Sequence, residues 1–218
     1  MLYKKYLRLS IIGIKSLHKV ALIPLAVAYI LIPAVNIIAW KNYGIDYSLY
    51  INIIQFTQLF LPFFSLWWAF FVLREYVEGE GCELLYVYDK SGQTVIAFLL
   101  WLEYIICLIP LYTVYFLCFR MMAAEYVRIV CESLLMFGML YFIFNLFRSA
   151  AITLIPVFVY LIINVTAKTE SVFLFYSLNE ITGFQSLEKY FIQALIGVFM
   201  IGLGALSNLI CRKIGIRK

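Results

Sequence analysis

The stretch VALIPLAVAYILIPAVNIIAW, residues 20–40, contains no charged side chain. A helix needs about 20 mostly apolar residues to cross the hydrocarbon core of a bilayer, so this segment is long enough to cross it once. Its prolines, Pro24 and Pro33, do not argue against a helix, because neighbouring helices in a membrane satisfy the carbonyl groups that a proline leaves free. The segment therefore predicts a membrane-spanning helix.

The composition of the whole chain agrees with this prediction. Of the 218 residues, 65% are hydrophobic and 13% are charged, whereas soluble domains carry about 25% charged residues. No stretch is polar enough and long enough to fold as a separate soluble domain. The formal net charge of +5 is small and comes mainly from the chain ends, so it indicates orientation in the membrane rather than nucleic-acid binding.

Apolar segments divide the chain into six predicted spans. They cover residues 20–40, 51–73, 95–119, 127–147, 149–167 and 190–211. We therefore predict an all-α polytopic membrane protein with one transmembrane domain, residues 1–218. Residues 20–73 hold spans one and two, and residues 95–167 hold spans three to five.

The distribution of lysine and arginine predicts the orientation of the spans, because positively charged loops remain in the cytoplasm. Six spans place both chain ends on one side, with twelve basic residues there and five on the other. The first set is Lys4, Lys5, Arg8, Lys15, Lys19, Arg74, Lys90, Arg148, Arg212, Lys213, Arg217 and Lys218; the second is Lys41, Arg120, Arg128, Lys168 and Lys189. Both termini, including the basic tail 212–218, should be cytoplasmic, and the membrane should be the cell (plasma) membrane.

Residues 1–19 have the pattern of a basic amphipathic helix. Tyr3, Leu7, Ile11 and Ile14 share one face of a helical wheel, and the basic residues share another. A helix of this kind lies in the membrane interface. The alternative is a plain cytoplasmic flank that follows the distribution of positive charge.

The outer loop, residues 168–189, contains the apolar run SVFLFYSL. This run is too short to cross the membrane and too apolar for a solvated loop. We predict a short re-entrant segment that dips into the outer leaflet between spans five and six. A loop packed on the outer ends of the other helices is the alternative.

Two acidic residues fall inside predicted spans, Glu103 in span three and Glu132 in span four. A charge at mid-bilayer costs on the order of 3 kcal/mol, so such a group faces the protein interior, forms a pair or reaches the interface. Arg128 lies four residues before Glu132, a spacing that allows an ion pair on one helix face. Either glutamate is thus a candidate for a substrate pathway or for helix packing, and the sequence leaves both roles open.

Small and amide residues in the spans predict close helix contacts. Gly197, Gly202 and Gly204 in the last span allow backbones to approach, either within the bundle or against a second copy of the chain. Amide side chains in the spans are predicted to form hydrogen bonds between helices. They are Asn36, Asn145, Asn164, Gln193 and Asn208.

Residues 74–94 form the predicted cytoplasmic loop between spans two and three. With Leu73 they read LREYVEGEGCELLYVYDKSGQT, and they hold five of the chain's twelve acidic residues. Glycines at 79 and 81 allow the chain to turn sharply away from span two. Apolar side chains such as Leu84 and Leu85, surrounded by acidic residues, are typical of a docking surface.

The segment REYVEGEGCELL resembles the cytoplasmic loop of permease subunits of type-2 ATP-binding-cassette (ABC-2) exporters. In that family an Arg-Glu start is followed by an acid, a glycine turn, another glutamate and leucines. Glu78 and the later Glu83-Leu84-Leu85 match this spacing, Arg74-Glu75 match it with one extra residue, and the glycines are displaced by one. The proline and basic residues that usually follow are replaced here by YVYDKSG. The basic amphipathic start, six spans, internal termini and apolar last outer loop also match.

The resemblance implies a permease subunit that forms the export pathway and has no enzymatic activity of its own. In the family this loop forms a coupling helix that binds a cleft of a separate ATPase subunit. Glu75, Glu78, Glu83, Leu84 and Leu85 are assigned to that contact by resemblance. The implied partners are two ABC ATPase subunits, which carry ATP and Mg²⁺, and a second permease copy or a related permease.

No cofactor is expected on this chain, because it lacks the phosphate-binding pattern G-x-x-x-x-G-K-[ST]. An intramembrane enzyme is disfavoured, since the sole histidine, His18, lies in the basic leader and no G-x-S-x-G is present. The five cysteines show no metal-binding spacing. A membrane scaffold or sensor that binds a cytoplasmic ATPase or regulator through the same loop remains the alternative. The aromatic content of 18% favours an amphiphilic, lipid-like or peptide-antibiotic cargo.

Overall fold

The computed structural model describes residues 2–44, 47–79, 92–166 and 187–214. These ranges are helical, and no strand occurs within them. The helices are α1 Leu2–Ser16, α2 Ile23–Ala26, α3 Ile32–Tyr43, α4 Tyr47–Phe64, α5 Trp67–Glu78, α6 Gly92–Cys118, α7 Met122–Phe147, α8 Ala150–Thr166 and α9 Glu188–Ile214. The predictions for Glu83, Leu84 and Leu85, for the re-entrant segment and for the end of the basic tail lie outside the described residues.

Five helical segments within these ranges are long and apolar enough to cross a membrane. They are His18–Asn42, Tyr47–Glu78, Gly92–Cys118, Met122–Phe147 and Tyr190–Ile210. The predicted all-helical architecture, with several membrane-compatible helices, is therefore confirmed. The predicted fifth span, residues 149–167, corresponds to α8, a shorter apolar helix of 17 residues.

The first span is irregular because of its two prolines. It begins with the 3₁₀ turn His18–Leu22, continues through α2, widens into a π-helical turn at Val27–Leu31 and ends with α3. Pro33 lacks an N–H and its ring clashes with the carbonyl group four residues earlier, so the preceding turn cannot keep regular α-helical hydrogen bonds. His18, in the left-handed conformation at φ 49°, turns the chain from α1 into this span.

The second span is long and has one break. Its 32 residues, Tyr47–Glu78, correspond to about 48 Å of helix, whereas the hydrocarbon core measures about 30 Å. The break falls at Ser65 and Leu66, shortly after Pro62, where the Ser65 hydroxyl donates to the Pro62 carbonyl oxygen at 2.6 Å. The last turns of α5 therefore extend past the length that the membrane core requires.

Helix α7 is the most buried of the five membrane-compatible segments. Its closest neighbour is α9. Gly138 of α7 and Gly197 of α9 lie against each other so closely that a Cβ atom on either would collide with the other helix's backbone. Gly204 lies against Tyr141 and Phe142, whereas Gly202 faces open space. Two of the three glycines in the last span therefore serve packing within the bundle.

Helix α1 packs against the bundle through a face that only partly coincides with its predicted apolar face, since Ile14 contacts the core while Ile11 does not. Ser10 is fully buried, and Gly13 lies beside Val72 of α5. Ile11, on the predicted apolar face, is 41% exposed. One side of the helix thus contacts the bundle, while Ile11 and Ile12 remain exposed.

Polar contacts show which helix ends lie together. Asn208 near the end of α9 donates to Gln93 at the start of α6 at 3.0 Å, and Thr94 shares a hydrogen bond of 2.6 Å with Tyr141 near the end of α7. Glu78 at the end of α5 lies beside the start of α8. We call this side of the bundle the Glu78 end, and the opposite side, which contains the α6–α7 turn and Tyr190, the Tyr190 end.

Two of the predicted amide side chains make described contacts between different helices. Asn208 binds Gln93 as described, and Asn36 of α3 donates to the Tyr115 hydroxyl of α6 at 2.8 Å. Asn145 instead donates to the carbonyl oxygen of Tyr141 in its own helix, at 2.8 Å. The Asn145 donor thus serves its own helix, and the predicted interhelical contact of this residue stays a prediction.

Candidate functional site

The last turn of α5 holds the first residues of the predicted docking loop, including Glu75 and Glu78. Arg74 and Glu78 form an ion pair of 2.9 Å, with side chains 53% and 38% exposed. Gly79 ends the helix in an extended conformation, with its N–H still bonded to the Glu75 carbonyl oxygen at 3.2 Å. The chain thus leaves the helix directly after Glu78, as predicted from the position of Gly79.

Glu78 also contacts a second helix. Its carboxylate accepts a hydrogen bond of 3.0 Å from the backbone N–H of Ala150, the first residue of α8. The first N–H groups of a helix have no partner within the helix, and a negative charge there is favourable. Arg148, in the left-handed conformation at φ 50°, ends α7 and places Ala150 only two residues later. Glu78 therefore joins the end of span two to the start of α8.

A groove of about 320 Å³ lies beside this contact. Its lining residues are Phe70, Phe71, Arg74, Glu78, Ala150, Ala151 and Leu154. Glu75 has no part in the groove and is exposed. The two predicted docking residues that the structure describes thus differ, since Glu78 binds within the bundle and Glu75 remains available at the surface.

A second site lies near the Tyr190 end and consists of charged side chains inside α7. The predicted ion pair is present, with Arg128 Nε at 2.9 Å from Glu132 Oε1, and neither side chain has exposed surface. The alternative in which Glu132 reaches the membrane interface is therefore wrong. Its side chain points into the bundle, where Arg128 supplies both a counter-charge and a hydrogen bond.

A third charged residue, Glu125, belongs to the same site and was not predicted. Its side chain is 2% exposed, and its Oε1 lies 3.7 Å from Arg128 Nη1. The predicted span began at residue 127, whereas α7 begins at Met122, and this one-turn error placed Glu125 in a loop. Its position three residues before Arg128, on the same helix face, was the signal available in the sequence. We call Glu125, Arg128 and Glu132 the buried charge cluster.

Three other helices contribute residues around the buried charge cluster. Gln58 of α4 donates from Nε2 to Glu125 Oε2 at 3.0 Å. Tyr190 of α9 presents its ring to the Arg128 guanidinium, with 4.6 Å between the guanidinium carbon and the ring centre. Tyr112 of α6 is buried nearby. The cluster therefore lies where α4, α6, α7 and α9 meet.

Glu103 occupies a separate position near the Glu78 end. It is partly exposed, and its Oε1 accepts a hydrogen bond of 2.6 Å from the Ser10 hydroxyl. This contact attaches α1 to α6. The described contacts thus give Glu103 a packing role at the N-terminal helix, while its predicted alternative role in a substrate pathway stays a prediction.

Within the described ranges, no group of three or more histidine, cysteine, aspartate or glutamate side chains could hold a metal ion. Comparisons of the chain with protein-family models, with curated proteins and with solved structures found no match. The chain's own residues therefore have to carry any functional assignment.

Proposed function

We propose that this chain is the permease subunit of an ABC-2 type exporter and forms the pathway by which a substrate crosses the cell membrane. The observation that carries the proposal is the segment REYVEGEGCELL, whose spacing resembles the ATPase-binding loop of that family. The fold supports it in coarser terms, since the described residues are helical and five segments are able to cross a membrane.

Span two provides a physical connection between the loop and the bundle. The first residues of the predicted loop, from Arg74 to Glu78, belong to the helical segment Tyr47–Glu78, which is long enough to cross the membrane core. A displacement of the loop by an ATPase would act on α5 directly. It would act on α8 through the hydrogen bond between Glu78 and Ala150. This arrangement supports the proposal that the loop transmits movement.

We further propose that α8 completes a sixth span. Its 17 residues measure about 25 Å, and a bilayer accommodates a helix slightly shorter than its core by local thinning. Six spans place both termini and the Glu78 end in the cytoplasm, with α1 in the interface. Because Arg128 is buried in the bundle, it no longer counts among the basic residues of the outer loops, which favours this orientation further.

The proposed assembly contains two permease chains and two ABC ATPase subunits, with ATP and Mg²⁺ bound by the ATPases. The second permease is a further copy of this chain or a related one. Glu75, at the surface, is a candidate for the ATPase contact, together with Glu83, Leu84 and Leu85. The many aromatic side chains support an amphiphilic cargo, such as a lipid-like molecule or a peptide antibiotic.

Copurification of the native complex tests the proposal. The tagged chain is purified from its own membranes, and its partners are identified by mass spectrometry. Wild-type chain should retain an ABC ATPase, whereas Glu83→Arg and the double variant Leu84→Asp with Leu85→Asp should lose it while inserting normally. Glu188→Arg is the matched control, because it reverses an exposed charge at the Tyr190 end. Loop variants that still bring down a full complement of ATPase would contradict the proposal.

Measurements of ATP hydrolysis and transport by the complex distinguish a transport role from a scaffold or sensor role. The purified complex is reconstituted in liposomes, and ATP hydrolysis is measured while amphiphilic lipids and peptides are added. A permease should show hydrolysis stimulated by its cargo and accumulation of that cargo on one side. A complex that binds the ATPase but shows neither effect with any cargo class would support the scaffold.

A further inference from the structure

The two carboxylates of the buried charge cluster are not equally paired. Arg128 forms a hydrogen bond of 2.9 Å with Glu132, whereas its nearest approach to Glu125 is 3.7 Å, beyond hydrogen-bond length. Among the described side chains of the cluster, two carboxylates thus share one guanidinium. Glu132 receives the direct bond, and Glu125 receives only a longer contact.

Burial makes the longer contact with Arg128 unfavourable for an ionised Glu125. The residue is 1% exposed, and burial away from water disfavours an ionised carboxylate. The only described counter-charge of Glu125 is the Arg128 guanidinium, which lies 3.7 Å away and is bonded more closely to Glu132. Tyr190 stacks on Arg128 and supplies no charge of its own in its ordinary neutral form. The described surroundings therefore favour a neutral Glu125.

The hydrogen bonding of Gln58 is a second, independent observation that favours a neutral Glu125. Its amide is 1% exposed, and its Nε2 already donates to Glu125 Oε2 at 3.0 Å. The remaining oxygens of both groups, Gln58 Oε1 and Glu125 Oε1, have no hydrogen-bond partner among the described atoms. Both are acceptors when Glu125 is ionised, so they cannot bond to each other. One added proton supplies the missing donor.

A carboxylic acid and a primary amide can form two parallel hydrogen bonds. One of these bonds, from Gln58 Nε2 to Glu125 Oε2, is present. A proton on Glu125 Oε1 would allow the second, with Gln58 Oε1 as acceptor. The other titratable or charged groups that the described contacts place around this pair or its cluster are Tyr50 on α4, Tyr112 on α6, Cys131, Arg128 and Glu132 on α7, and Tyr190 on α9.

We propose that Glu125 is a proton-binding site inside the bundle, with Gln58 as the acceptor of the bound proton's hydrogen bond. In the closed bundle the site holds one proton taken from water, and the charge of the cluster rises by one unit. When water reaches the Tyr190 end, the proton returns to water and Glu125 becomes a carboxylate. The site requires only a closed helical bundle, so it stands independently of the ATPase partner.

Infrared spectroscopy of the purified full chain in lipid nanodiscs tests this site directly. A protonated carboxyl group gives a carbonyl absorption separate from that of carboxylates, and the band shifts in D₂O. Wild-type chain should show this band at neutral pH, and Glu125→Gln should lose it. Glu103→Gln is the matched control and should retain it, because Glu103 also lies within a membrane-compatible helix but contacts Ser10 and lies away from Gln58.

A second variant keeps the test decisive if Glu125→Gln folds poorly. Gln58→Met preserves the length of the side chain but removes the amide, so the band should remain and move to higher wavenumber as the hydrogen bonds are lost. Absence of a protonated carboxyl band in wild-type chain at neutral pH would overturn the proposal. So would a band that persists in Glu125→Gln, or one that is unaffected by Gln58→Met.

Discussion

The two ends of the bundle each contain an Arg–Glu pair with the same spacing and the same distance. Arg74 and Glu78 at the Glu78 end, and Arg128 and Glu132 toward the Tyr190 end, are four residues apart and joined at 2.9 Å. The first pair is 53% and 38% exposed, and the second has no exposed surface. The two pairs have the same local geometry, but their contributions to stability differ because one is exposed to solvent and the other is buried.

Exposure makes the first pair weak and adaptable. Exposed ion pairs contribute about 0–1 kcal/mol, so the last turn of α5 can exchange its partners at little cost, as the proposed docking role requires. Loss of one partner from a buried pair costs roughly 3–5 kcal/mol, because the other charge is left without compensation. The buried pair should therefore hold α7 in one arrangement.

The largest expected effect comes from Glu132→Gln. It leaves Arg128 buried without its hydrogen-bonded carboxylate and should lower the free energy of unfolding by roughly 3–5 kcal/mol. The loss of stability is measured by thermal unfolding in detergent, together with the yield of folded chain. Glu188→Gln, which alters an exposed glutamate, is the control. Equal melting temperatures for the two variants would contradict the assigned importance of the buried pair.

The double variant Arg128→Met with Glu132→Met sharpens the comparison. It removes both charges of the pair, and replacement of a buried ion pair by apolar side chains is often neutral. If Glu125 is protonated, no charge remains in the cluster, and the double variant should be more stable than either single variant. A double variant that is less stable than both Arg128→Met and Glu132→Met would contradict the view that the two charges stabilise the fold as a pair.

The close backbone contact between α7 and α9 gives the next effect. Gly197→Ala places a Cβ atom against the backbone at Leu134 and Leu135, and overpacking of this kind costs about 1–3 kcal/mol. Gly202→Ala, five residues later on the same helix, meets open space and should be neutral. A comparison of the two melting temperatures checks the packing. The reverse order of stability would contradict it.

Apart from the control variants, Glu78→Ala has the smallest expected effect on stability. It removes an exposed ion pair and the acceptor for the Ala150 N–H, a loss of about 1 kcal/mol. Glu75→Ala, which the structure places at the surface, should change stability by less. If Glu78 connects the loop to α8, its variant should also weaken the coupling of ATP hydrolysis to transport in the reconstituted complex. Equal coupling in both variants would remove Glu78 from that role.

The sequence was informative where the signal is local. Uninterrupted apolar segments predicted the membrane helices, and four-residue spacing predicted the Arg128–Glu132 pair. Glu125 was missed because the hydropathy limit excluded the first turn of α7. The contacts of Glu78 with Ala150 and of Ser10 with Glu103 join residues 72 and 93 positions apart, and no local pattern indicates which helices become neighbours.

Crosslinking from the acidic loop tests the central claim most directly. A photoreactive amino acid is placed at position 86, in the middle of the loop, and the chain is irradiated in intact cells before mass spectrometry. The account predicts that the captured protein is an ABC ATPase, and that Glu83→Arg abolishes its capture. Capture of no nucleotide-hydrolysing protein, or labelling of position 86 only by reagents added outside the cell, would contradict it.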